Sequence, residues 1–125
     1  MLRFLDDPEA DPVPGDFLVL VPTARPWEIP AHLFYGGWND CPRSAVHVAW
    51  LKRWFDLHGA EIRTIFGRTF DLYVPRRPST RDEARDLLSE HGRYCPLTLG
   101  SSAPTAEDRA VERLLKNHSW AFWWD

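Results

Sequence analysis

Two thiols are the first residues whose chemistry calls for a reading. Cys41 and Cys95 are each followed directly by a proline, Pro42 and Pro96, so each sulfur hangs from backbone with few accessible conformations. His47 follows Cys41 with the spacing C-x5-H, and His91 precedes Cys95 with the spacing H-x3-C. Four such side chains would suit tetrahedral zinc. Structural zinc sites, however, usually carry their ligands on tight C-x2-C knuckles, and neither cysteine belongs to one, so no metal is expected. A thiolate nucleophile at Cys41, helped by the positive end of a helix starting just after it, is a second possibility. A disulfide or redox pair is a third. Buried, inert thiols are the simplest reading and the one expected. Asn39, Glu90 and Tyr94 add polar groups that would make a small-ligand pocket with Cys41, His47 and Cys95. An Asn before a turn is more often a local backbone cap, and a helical Glu is more often solvated.

The other residues of note are aromatic. Seven tryptophans in 125 residues is an unusual number, and such rings concentrate both in small cores and at contact surfaces. Tyr35, Trp38, Trp123 and Trp124, with Asn39 among them, are the candidate contact residues of the segment around Gly36 to Pro42 and of the chain's last strand. A nucleophile elbow, a phosphate-cradling glycine loop and an H-E-x-x-H helix are all missing from the sequence. No catalytic residue is assigned and no cofactor is expected. With 18 acidic and 15 basic residues the chain has a formal charge of -3, which offers phosphate backbones no global basic field, so nucleic acid is not an expected partner. No run approaches the ~20 apolar residues that cross a bilayer, and acids interrupt the N-terminus before a signal peptide could form, so no membrane partner and a cytoplasmic location are expected.

These residues need elements to hold them. Asp6, Asp7, Glu9 and Asp11 among three prolines make residues 1–15 a flexible arm ahead of one domain over 16–125. Phe17 to Val21, bounded by Gly15 and Pro22, reads as a buried strand. From Pro22 to Pro42 the prolines and the Gly36-Gly37 pair point to an anchored loop. Ser44 to His58 places Ala45, Val48, Leu51 and Phe55 on one helical face, with Gly59 as the stop. Alternation then predicts a hairpin, residues 61–66 and 69–74, turning at Gly67-Arg68. Thr80 with Glu83 forms a capping box for a second helix running to about His91, with Ala84, Leu87, Leu88 and His91 buried and Arg81 and Arg85 in water. Residues 95–104 read as a loop. Thr105 is the expected cap of a third helix, whose Val111, Leu114 and Leu115 face inward, and Trp120 to Asp125 closes the chain as a strand. Arg76, Arg77, Arg81 and Arg85 look like a solvated rim.

Several segments in order resemble the bacterial family named domain of unknown function 4253. They are Val21-Pro22, Arg25-Pro26-Trp27, Gly36-Gly37-Trp38-Asn39 with Cys41-Pro42, the helix ending at Trp54 with Gly59-Ala60-Glu61, Tyr73-Val74-Pro75, Glu83-Ala84, Tyr94-Cys95-Pro96 and Trp120 to Asp125. The resemblance spans nearly the whole chain from residue 18 and implies no established activity. One departure is that the family's acidic residue after Tyr-Cys-Pro is replaced here by Leu97-Thr98-Leu99-Gly100, which weakens an enzymatic reading.

The expected architecture is a single α+β domain, with a mainly antiparallel sheet of about four strands and three helices mostly on one face. The expected function is a non-catalytic protein-binding module of a bacterial cell, monomeric or homodimeric, with immunity-like neutralisation of another protein as its narrower form. The alternative is a small-ligand-binding or metal-dependent enzyme with a Cys/His/Glu pocket.

Overall fold

The computed structural model describes residues 17–99 and 103–125; the expected arm over 1–15 lies outside them. Short helix α1 (Ile29–His32) follows a 3-10 turn at Pro26–Glu28. Then come α2 (Ser44–His58), the hairpin β1 (Glu61–Phe66) and β2 (Thr69–Tyr73), α3 (Arg81–Tyr94), a 3-10 turn at Pro96–Leu99, α4 (Pro104–Lys116) and β3 (Ser119–Trp123). The class is α+β as expected, with three strands and four α-helices among the described residues.

The sheet has the order β1-β2-β3 and is antiparallel throughout. Phe70 pairs with Phe122 and Leu72 with Trp120, and all four side chains are buried, which defines one core face. Tyr73, Ser119, Ala121 and Trp123 on the other face are exposed, so the sheet is covered on one side only. A register shift between Ile62 and Thr64 breaks the strict alternation expected of β1. Because of it Ile62 and Ile65, three apart, both pack on the core, while Phe66 is exposed.

The expected first strand is absent. Phe17 makes only an isolated bridge, and Phe17, Leu18, Val19 and Leu20 are all exposed. An apolar run becomes a strand when a partner edge and a covered face exist for it, and here the run has no covered face. The stretch from 22 to 42 holds the 3-10 turn and α1, a helix that sequence reading left out because Pro30 sits inside it. Pro30 occupies the first turn, where the missing amide costs nothing.

In α2 the buried residues are His47, Leu51 and Trp54, so the inward face is turned from the expected Ala45–Val48–Leu51–Phe55 stripe, with only Leu51 shared. The other flank is covered as well, by the segment before it, where the Trp27 and Phe55 ring centroids lie 4.8 Å apart. Gly59 terminates α2 in the left-handed region at φ 68. Helix α3 carries both halves of the capping box, Thr80 accepting from the Glu83 amide and Glu83 accepting from the Thr80 amide, and runs to Tyr94, beyond the expected end at His91. Helix α4 begins at Pro104 with Ala103 as the cap residue, so Thr105 lies inside the helix rather than capping it.

The arginine rim is bonded rather than simply solvated. Arg76 donates to the carbonyls of Phe55 and Asp56, and Arg77 to that of Lys116, covering the C-terminal carbonyls of α2 and α4. Arg81 pairs with Glu112 and Asp108 of α4, and Arg85 with Asp82.

Candidate functional site

The loop from Tyr35 to Cys41 is held by its glycines. Gly36 sits at φ +105, and a Cβ there would lie 2.1 Å from the Pro42 carbonyl oxygen and 2.8 Å from His47 Nε2. Only glycine lets the backbone pass this close to the imidazole. The Gly37 amide donates to the carbonyls of Pro42, at 3.0 Å, and Cys41, while Ser44 Oγ donates to the Tyr35 carbonyl at 2.7 Å. Asn39, at φ 43, donates from Nδ2 to the backbone oxygen of Asp125 at 3.0 Å, which ties the loop to the end of the chain.

Beneath this loop the structure brings together Cys41, His47 and Tyr94. His47 Nε2 lies 3.3 Å from Cys41 Sγ, and His47 Nδ1 lies 2.5 Å from Tyr94 Oη. The rings of Tyr35, Phe70, Tyr94 and Trp124 enclose the imidazole at centroid distances of 5.1–5.9 Å. Burial pushes the His47 pKa down to about 4, although the Pro42 carbonyl works the other way. Burial pushes the Cys41 thiol up to about 11, with nearby Cys95 adding to the rise and the Gly37 amide opposing it. Burial also raises the Tyr94 and Tyr35 phenols. At neutral pH thiol, imidazole and phenol are therefore all uncharged. A reactive cysteine requires a thiolate stabilised by a neighbouring cation, and His47 is held in the wrong state to supply one.

Cys95 is fully buried and donates from Sγ to the Trp123 carbonyl at 3.0 Å. Both cysteines are free thiols. Glu90 stands apart from this cluster. It accepts from Arg53 at 2.6 Å and from Trp54 Nε1 at 2.9 Å. Partial burial pushes its carboxyl up, and the hydrogen bonds from Arg53 and Trp54 outweigh that and hold it below its usual value. Among the described residues no three His, Cys, Asp or Glu side chains gather as a metal ion would need.

Of the candidate contact rings, Tyr35 and Trp124 are buried in the core and Trp38 is half-buried against it. Tyr35 Oη, Trp38 Nε1 and Trp124 Nε1 have no hydrogen-bond partner among the described residues. Trp123 is 45% exposed, as the alternation of β3 requires. Phe34, in the stretch the sequence predicts as an anchored loop, is 90% exposed and sits at φ 52, a conformation that a bulky side chain adopts at a cost. No propensity signal separates it from the buried rings beside it.

A protein-family model described as "Domain of unknown function (DUF4253)" matches residues 17–125. No curated protein and no solved structure matches the chain. No helix among the described residues is long and apolar enough to cross a membrane.

Proposed function

The chain belongs to the family domain of unknown function 4253, and from that premise we propose that it is a non-catalytic, protein-binding module of a bacterial cell. The observation that carries this reading is Phe34, an aromatic side chain held 90% exposed on strained backbone at the entrance to a fixed loop. Strain of this kind costs on the order of 1–3 kcal/mol, and strained residues cluster at ligand clamps and active sites. The loop it opens onto is pinned by Gly36, by Ser44 and by the bond from Asn39 to Asp125. A preset surface loses little freedom on binding, which favours affinity. Trp123 adds a second exposed ring on the uncovered sheet face. Neutralisation of the bound protein, as an immunity protein does, is the narrower form of the same reading. The competing Cys/His/Glu pocket has less support, because Glu90 is engaged with Arg53 and Trp54 and the thiol–imidazole pair is neutral.

The test uses Phe34→Ser and Trp123→Ser. Both variants should melt as the wild type does. A protein captured by the wild type, purified and titrated in isolation, should bind at least one of them tenfold or more weakly, as truncation of an interface aromatic implies. Unchanged affinity in both variants would sink the proposal.

A further inference from the structure

We propose that the cleft between α3, α4, the Pro96–Leu99 turn and β3 binds a small carboxylate with an apolar body. The cleft measures about 300 Å³, the low end of the ~300–1,000 Å³ range of small-molecule sites. Leu88, Leu97 and Leu114 give it apolar walls. His91, Thr98 and Trp120 line it too, and each holds a buried polar atom without a hydrogen-bond partner among the described residues: Nε2, Oγ1 and Nε1 respectively. An unmatched buried polar atom costs about 1–3 kcal/mol, and native interiors hold few of them. Three such atoms on side chains that line one cleft point to a ligand that satisfies them. His91 is 2% and Trp120 4% exposed, so neither side chain turns to solvent instead. Each of the three atoms is covered by its neighbours, so uptake includes a small side-chain rotation.

The donors define the ligand. An indole N–H only donates, while a hydroxyl and a neutral imidazole nitrogen, according to its tautomer, donate or accept, so acceptor oxygens are what can meet all three. No carboxylate lines the cleft among the described residues, and its charged member is Arg113, exposed and without an ion-pair partner among the described residues. A guanidinium matches a carboxylate with two parallel hydrogen bonds. An anionic head near Arg113, with an apolar body between the leucines, fits both halves of the lining. This inference does not depend on the protein-binding reading, which is carried by the Phe34 loop; Trp123 borders both surfaces, so Phe34→Ser tests the one and Arg113→Met and Thr98→Val the other.

The experiment titrates the full chain with phenylacetate, 4-methylpentanoate and the uncharged phenylacetamide, reading the Trp120 indole N–H by nuclear magnetic resonance. At least one carboxylate should shift that resonance saturably, with the amide binding at least tenfold more weakly. Arg113→Met and, separately, the shape-conserving Thr98→Val should each weaken the carboxylate by about tenfold while leaving the melt unchanged. No shift from either carboxylate up to about 10 mM, well past millimolar affinity, would overturn the proposal. Equal binding of the amide, or a Trp120 N–H in contact with trapped water only, would do so as well.

Discussion

Acid should unfold this domain through two histidines before its carboxylates matter. His47 and His91 are 0% and 2% exposed. Burial lowers the pKa of His91 to about 3, with Glu90 opposing and His58 reinforcing the shift, and that of His47 to about 4. In the unfolded chain both return to about 6.5. As pH falls from 6.5 the excess of protons bound by the unfolded state grows from about one to nearly two near pH 5, and stability falls with it. Each proton is worth about 1.4 kcal/mol per pH unit, so the growing difference over the two units from 6.5 to 4.5 removes about 4–5 kcal/mol. That compares with a typical total of about 5–15 kcal/mol for a whole domain. Glu28, Glu83, Glu90 and Glu112 all have lowered carboxyl pKa values, so their contribution starts to be lost only as pH falls to the ordinary glutamate value of about 4.5, at the bottom of this window.

Denaturant melts followed by tryptophan fluorescence at half-unit steps from pH 7 to pH 4.5 give the slope directly. His91→Phe supplies the control. His91 already packs against Trp54, Trp120 and Phe122 at centroid distances of 4.6–5.0 Å, and its Nε2 has no partner to lose. The variant should halve the slope to about one proton, or about 1.4 kcal/mol per pH unit. A wild-type slope below one proton, or the same slope in wild type and variant, would refute the reasoning.

Three further outcomes follow from the same packing. Trp124→Ala should cost about 3–5 kcal/mol of stability as a core truncation, measured by denaturant melts, because Trp124 is 1% exposed. Gly36→Ala should lower the melting temperature and shift the environment of His47, seen in its ring resonances, since the added Cβ meets the Pro42 oxygen and the imidazole. Cys41 and Cys95 are both buried free thiols. They should react with an aromatic disulfide reagent only at the rate of unfolding, and reductant should leave the melt unmoved.

What was legible in the sequence was local. The hairpin, the capping box at Thr80 and Glu83, the stop at Gly59 and the closing aromatic strand all come from signals a few residues long. What failed depended on distant partners. Phe17 to Val21 has the composition of a strand, but strand identity needs a covered face, and these residues are largely exposed. The inward face of α2 could not be read from spacing, because Trp27 covers Phe55 on one flank while His47 and Trp54 enter the core on the other. The fold brings Cys41, His47 and Tyr94 into contact through the two histidine nitrogens, a closeness between α2, α3 and the loop before α2 that sequence spacing does not encode. Glu90 left that group because Arg53 and the Trp54 indole offer it better partners than buried thiols do. The exposure of Phe34 and Trp123 against the burial of Tyr35 and Trp124 is a matter of backbone direction, which residue type does not encode.

Arg76 and Arg77 are neighbours in sequence, yet one closes the end of α2 and the other the end of α4. The last turns of most helices fray alone, with local opening energies near zero. Here the exit of a hairpin grips two such turns at once, so loosening either pulls on the two-residue clasp that secures the other. Amides at the two helix ends should then exchange with solvent in one shared opening event, which makes the clasp a link between two elements far apart in the chain.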